Sequence, residues 1–159
     1  MGSRSDVVVP GNVLLKGDKM KTKTEKTMAV KVEFTDEEVR SLLVSAFEGG
    51  SNYWYTIKEY NLADGLSRED FRGDGKFTVE GWSEVYTIPF TEGCSLTIGD
   101  MEEGGKPDVK LDREKLEKGL TVMYETMRHH LTDFIDDKTD ATTGDVFLQC
   151  ALWGECIYG

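Results

Sequence analysis

TDEEVRSLLVSAFEGGSNYWYTIKEY, from Thr35 to Tyr60, changes its hydrophobic period part-way along, and that change decides the fold class. Val39, Leu42, Leu43, Ala46 and Phe47 recur at i, i+3, i+4, i+7 and i+8, which predicts a one-sided helix from about Asp36 to Glu48. Thr35 is placed to cap it, and Glu38 three residues on completes a capping box. Gly49–Gly50 reads as the stop, because glycine enters the left-handed region at little cost. Ser51–Tyr60 then turns aromatic and β-branched, the composition of a strand. A helix feeding a strand, in a chain of 159 residues that leaves room for one core, predicts a single α+β domain.

The rest of the chain extends that pattern. Asn61–Gly75 is polar with two Asp-Gly pairs and reads as a long exposed loop. Phe77, Val79, Trp82, Tyr86 and Ile88 suggest further strand, with Gly81 at a bulge, and Ser95–Asp100 another. Asp112 caps a second helix, stapled by Leu111 and Leu116, whose apolar stripe runs through Leu120, Met123, Met127, Leu131 and Phe134 to about Ile135. The acidic run Asp136–Asp140 breaks it, and Thr142 with Asp145 offers a capping box for a last helix ending near Trp153. The expected architecture is an N-terminal helix, a three- to four-stranded antiparallel sheet, and two C-terminal helices packed on one face. Trp54, Trp82, Tyr86 and Trp153 are expected at the helix–sheet interface. Residues 1–31 read as a mobile basic arm, with Val7–Val9 as a short edge strand, and residues 32–159 as one acidic domain.

Charge separates along the same boundary. Residues 1–31 hold seven Lys/Arg against three Asp/Glu, whereas the remainder holds twelve against twenty-seven, so a net −11 conceals a body of −15. A body this acidic is repelled by phosphate backbones, which argues against direct nucleic-acid binding. Two readings stay open: charge for solubility, or a surface that imitates a polyanion for a nucleic-acid-binding partner. No run approaches the roughly 20 apolar residues a membrane helix needs. Met1–Asp6 lacks a signal-peptide core, so a cytoplasmic setting is expected. Three cysteines without a CxxC fit neither a disulfide framework nor a zinc ribbon, and reduced, mostly buried thiols are expected.

Four constellations could carry function. Glu48–Trp54 looks like a phosphate cradle, but it leaves a helix C-terminus, the negative end of the dipole, and no Lys follows. It is either a helix stop feeding a strand or the wall of a ligand pocket. In the pocket, Tyr53 or Trp54 stacks on a flat ring and Asn52 reads its polar edge. Glu48, Asp145, Gln149 and Glu155 flank or interrupt apolar runs, where a polar group needs a partner or a cavity; Glu48 and Gln149 join the ligand-binding candidates. His129–His130 with Asp133, Asp136 and Asp137 lacks a further His or Cys at zinc spacing, so solvated helix residues are expected, with His129 pairing Asp133. Val146–Trp153 carries more apolar surface than one packing contact uses, so the last helix is either central to the monomer or also at a subunit contact. Trp153 and Tyr158 would anchor that contact in a homo-oligomer. No motif assigns a catalytic residue, and no cofactor or metal is expected.

From about Thr35 onward the chain resembles an uncharacterised family of small proteins of tailed bacteriophages. Glu48–Trp54, LDREKLEKGLTVM (Leu111–Met123) and the closing DATTGDVFLQCALWGECIYG (Asp140–Gly159) carry the resemblance. It implies a phage origin and action in the cytoplasm of an infected bacterium, and brings no enzyme mechanism with it. The expectation is a non-enzymatic inhibitor of a bacterial defence system. It acts as an acidic mimic using Asp133, Asp136 and Asp137, or by sequestering a nucleotide-like signal. A structural or assembly component of the phage, or a carboxylate-dependent enzyme acting on nucleotides, is the alternative.

Overall fold

A computed structural model describes residues 4–10, by their backbone, and residues 25–159. Residues 1–3 and 11–24, and with them most of the expected arm, lie outside the described residues. β1 (Arg4–Pro10) pairs antiparallel with β2 (Ala29–Thr35), Val7 opposite Val32, so Val7–Val9 do lie in a strand. β2 runs directly into α1 (Asp36–Ser45), and the Thr35–Glu38 capping box forms with both of its hydrogen bonds, at 2.6 and 3.2 Å.

The fold is α+β. A three-stranded antiparallel sheet has the order β3 (Tyr55–Asn61), β4 (Ser95–Asp100), β5 (Val109–Leu111). β4 is its centre, and every residue from Ser95 to Gly99 is buried, as a strand covered on both faces must be. The helices α2 (Arg113–Thr126), α3 (Arg128–Ile135) and α4 (Ala141–Trp153) follow. Asp112 caps α2 by accepting from Lys115 N at 3.0 Å, and Leu111 and Leu116 on either side of the cap are both buried.

Five expectations are corrected. Phe77–Ile88 is not strand: Glu84–Tyr86 and Ile88–Phe90 are single 3-10 turns, and Gly81 sits in a turn. The segment's amides are spent on i→i+3 bonds such as Tyr86 N to Ser83 O at 3.0 Å, and Pro89 has no donor to offer a ladder. The Asn61–Gly75 loop is not wholly exposed, for a 3-10 turn at Arg68–Phe71 buries Phe71 against Phe77. The long second helix is two helices, broken at Met127 (φ −134°, ψ 48°). Side chains take carbonyls of the last turn before the break: Thr126 Oγ1 donates to Val122 O at 2.8 Å and Arg128 Nε to Tyr124 O at 3.2 Å. Asp140, not Thr142, caps α4, its Oδ1 accepting from Thr143 N at 2.8 Å. Gly49–Gly50 lies in a π-helical turn, Ala46–Gly50, without positive φ.

α4 forms the axis of the core. Thr143 to Leu152 are all buried, and α1, α2, α3, β5 and the π-turn contact the helix. Its enclosure is complete within the monomer, so the apolar circumference needs no second subunit. Close approach makes this possible: a Cβ on Gly119 would come within 2.8 Å of the Ala151 Cβ, and one on Gly144 within 2.5 Å of Ala46 N. Trp54 and Tyr86 are buried, and Trp82 and Trp153 are half-buried against the core.

Candidate functional site

The π-turn and the first turn of α4 press together where Gly50 meets Ala141. A Cβ at Gly50 would lie 1.9 Å from Ala141 O, so glycine is required here for room. Ser51 N closes the turn by donating to Ala46 O at 2.8 Å, the i→i+5 bond of a π-turn, a feature that recurs at functional sites. The chain then hangs on one buried carboxylate. Asp145 Oδ1 accepts from Ser51 Oγ at 2.7 Å and from Trp54 Nε1 at 2.8 Å, and Oδ2 accepts from Tyr53 OH at 3.0 Å. This delays the strand to Tyr55, because Trp54 N and Tyr55 N both return to Ser51 O.

The C-terminal segment meets the same place. Gly154, at φ 72°, ends α4 and turns the chain back. Gln149, wholly buried, holds the returning tail: Oε1 accepts from Ile157 N and Tyr158 N, each at 2.7 Å, and Nε2 donates to Tyr158 O at 3.1 Å. Tyr158 OH donates to Asp100 Oδ2 at 2.8 Å. The indoles of Trp54 and Trp153 lie 4.7 Å apart, and Tyr158 lies within 6.0 Å of Trp54 and 6.3 Å of Tyr53.

The structure therefore gathers Tyr53, Trp54, Gln149, Trp153 and Tyr158, drawn from two separate candidate sets, into one cluster. Trp54 is fully buried with its ring against Trp153, and both ends of the Gln149 amide serve the tail, so neither is open to a ligand. Asn52 is exposed beside the cluster. Glu48 is turned away from it, accepting from Tyr86 OH at 2.8 Å. Burial raises the Tyr53 and Tyr86 hydroxyls, and the neighbouring carboxylates Asp145 and Glu48 raise them further. The hydrogen bond to Asp100 and partial burial push Tyr158 up to about 12, so all three phenols stay protonated donors at neutral pH.

Asp133, Asp136 and Asp137 lie apart, at the end of α3; Asp136 and Asp137 are exposed. His129 is exposed, its ring 4.0 Å from that of His130, and no ion pair joins it to Asp133. Among the described residues no group of three or more His, Cys, Asp or Glu is placed to hold a metal. Cys94 and Cys150 are buried and Cys156 half-buried, all as free thiols, with burial pushing Cys150 up to about 12.

Two further features escaped the sequence reading. Glu84 is buried between Arg68 and Arg72, which both donate to its carboxylate. Arg40 is 7% exposed, donates from Nε to Tyr86 O at 2.7 Å, and lies over the Phe90 ring at 4.8 Å. These pairs join residues 12, 16 and 46 positions apart, for which local periodicity carries no signal.

Comparison with protein families, curated proteins and solved structures gives no match.

Proposed function

We propose that this is a bacteriophage inhibitor that acts by binding a bacterial defence protein, its acidic surface standing in for the nucleic acid that protein handles. One observation carries the reading: exposed carboxylates outnumber exposed Lys and Arg nineteen to ten among the described residues, and four arginines are engaged within the fold. Arg68 and Arg72 are bound to Glu84, Arg113 holds Asp36 through two hydrogen bonds at 2.9 and 2.7 Å, and Arg40 is buried. Glu92, Glu114, Asp136 and Asp137 are exposed and form no ion pair with described residues. Acidic charge therefore exceeds basic charge on the described surface. The resemblance of the Asp140–Gly159 segment to tailed-phage proteins supports the setting. Nucleotide sequestration is less well supported, since the charged group at the Tyr53–Trp54 cluster is Asp145, a carboxylate, and phosphates need cations or free N–H donors.

No helix among the described residues is long and apolar enough to cross a membrane. The test is displacement of a labelled DNA duplex from purified nucleic-acid-binding defence nucleases. Competition that fades steeply as salt rises is expected. Association that persists unchanged at about 1 M salt, where screening shortens to about 3 Å, overturns the mimic.

A further inference from the structure

Six large hydrophobic side chains are exposed among the described residues, and three of them, Tyr53, Met101 and Ile157, converge on the aromatic cluster. They come from three distant stretches of chain. The Tyr53 ring meets Tyr158 edge-on at 6.3 Å, Met101 N donates to Trp54 O at 2.7 Å, and Ile157 N donates to Gln149 Oε1 at 2.7 Å. Their exposures are 48, 57 and 40%. Each is tied at its base: Tyr53 to Asp145, Ile157 through the buried Gln149, and Met101 beside Asp100, whose carboxylate also accepts from Glu102 N and Lys106 N. Exposed apolar side chains placed around one rigid cluster fit a contact surface better than they fit solvent. Its Tyr and Met content is what interface cores are enriched in, and its fixed backbone lowers the ordering cost of binding.

We propose that this face is the apolar anchor of the interface and receives an aliphatic or aromatic side chain of the partner that is flanked by Lys or Arg. This rests on the reading that the partner is cationic. The rim decides the occupant. Glu102, Glu103 and Glu155 are exposed around the patch, and two cations lie beside them, Lys106 at 3.7 Å from Glu155 and Lys118 against Gly154, so carboxylates still outnumber cations at the rim. A second copy docking face to face would bring these carboxylates against their own kind, whereas a cationic partner pairs with the rim as it fills the centre. Anchor and rim then divide the work, the apolar centre holding the complex and the carboxylates orienting it.

The test uses the full chain and two labelled peptides, Lys-Arg-Leu-Trp-Arg-Lys and Lys-Arg-Ser-Gly-Arg-Lys, at about 0.1 M salt. The first is expected to bind about tenfold tighter, the worth of one well-placed anchor. Met101→Ser and Ile157→Ser should each erase most of that difference, and Ile135→Ser, at an exposed apolar position on α3, should leave it unchanged. Both exposed positions should keep the wild-type melting temperature, so lost binding is not lost folding. Equal binding of the two peptides, or indifference to Met101→Ser and Ile157→Ser, overturns the anchor and leaves the acidic-surface reading standing. Binding of neither peptide overturns both. A wild-type dimer that Ile157→Ser converts to monomer in sedimentation assigns the face to a second copy and overturns the cationic partner.

Discussion

Asp145 accepts three hydrogen bonds, and every donor is neutral. A buried charge survives only with its acceptor capacity filled, and here the filling ties the Ser51–Trp54 turn to α4. Asp145→Ala strands Trp54 Nε1 and Ser51 Oγ in the interior, and unmet buried donors cost about 1–3 kcal/mol each. A loss of about 3 kcal/mol in denaturant melts is expected, against about 1 kcal/mol for Asp145→Asn, whose carbonyl still serves Ser51 and Trp54. Gln149→Leu keeps the volume and removes the clamp. It should raise the exchange rates of the Ile157 and Tyr158 amides by more than tenfold while α4 amides stay protected. The sequence exposed part of this. A lone Gln in an apolar run announces a partner without naming it, and the partners here are backbone atoms of the tail. Asp145 stood out for the same reason, but beside Thr142 it read as a helix cap, because nothing local tells a cap from a buried acceptor.

Among the elements, three helix termini were legible, since capping is written within four residues, whereas Thr142 places the α4 cap two residues late. Thr35–Glu38, Asp112 and Gly154 act as their residue types require. The segments that missed are those whose bonds run far along the chain. The alternation from Phe77 to Ile88 suggests a strand until Arg40, Arg68 and Arg72 claim its carbonyl and carboxylate. Gly49–Gly50 suggested a left-handed stop, whereas Gly50 is there because another backbone passes beside it. The same logic gives a test with opposed signs. Alanine is a better helix former than glycine by about 1 kcal/mol, yet Gly144→Ala drives a Cβ to 2.5 Å from Ala46 N. Overpacking of this kind costs about 1–3 kcal/mol and can exceed it. A net loss of stability in thermal melts is expected, and a gain would show that α4 and the π-turn separate freely.

At the scale of the whole molecule, protonation weakens the fold from two directions. Burial first, and the neighbouring His129 second, hold His130 below its ordinary 6.5, and its Nδ1 is buried without a partner. The unfolded chain therefore takes up this proton first, so the contribution is complete above pH 6.5 and is lost as pH falls through the lowered folded value. Glu84 behaves likewise at lower pH. Burial alone would raise its carboxyl, but hydrogen bonds from Arg72 and Arg68 outweigh that and hold it below its ordinary 4.5. Its contribution is present above 4.5 and disappears as pH falls through the folded value. Urea midpoints should decline in two stages on acidification. His130→Asn should remove the first, and Glu84→Gln should lower stability at neutral pH and flatten the second. Added salt should raise the melting temperature at neutral pH, because a net charge of −11 repels itself.

The pairing of Trp54 with Trp153 also makes the molecule optically self-reporting. Two indoles held 4.7 Å apart at an interplanar angle of 43° exchange excitation energy, while Trp82 sits outside the pair against Tyr86. The far-ultraviolet circular dichroism should carry an exciton couplet at the strong indole band that exists only while the Ser51–Trp54 turn is docked on α4. Its amplitude reads the closure of that turn directly, with no label attached, and separates its detachment from unfolding of the chain as a whole.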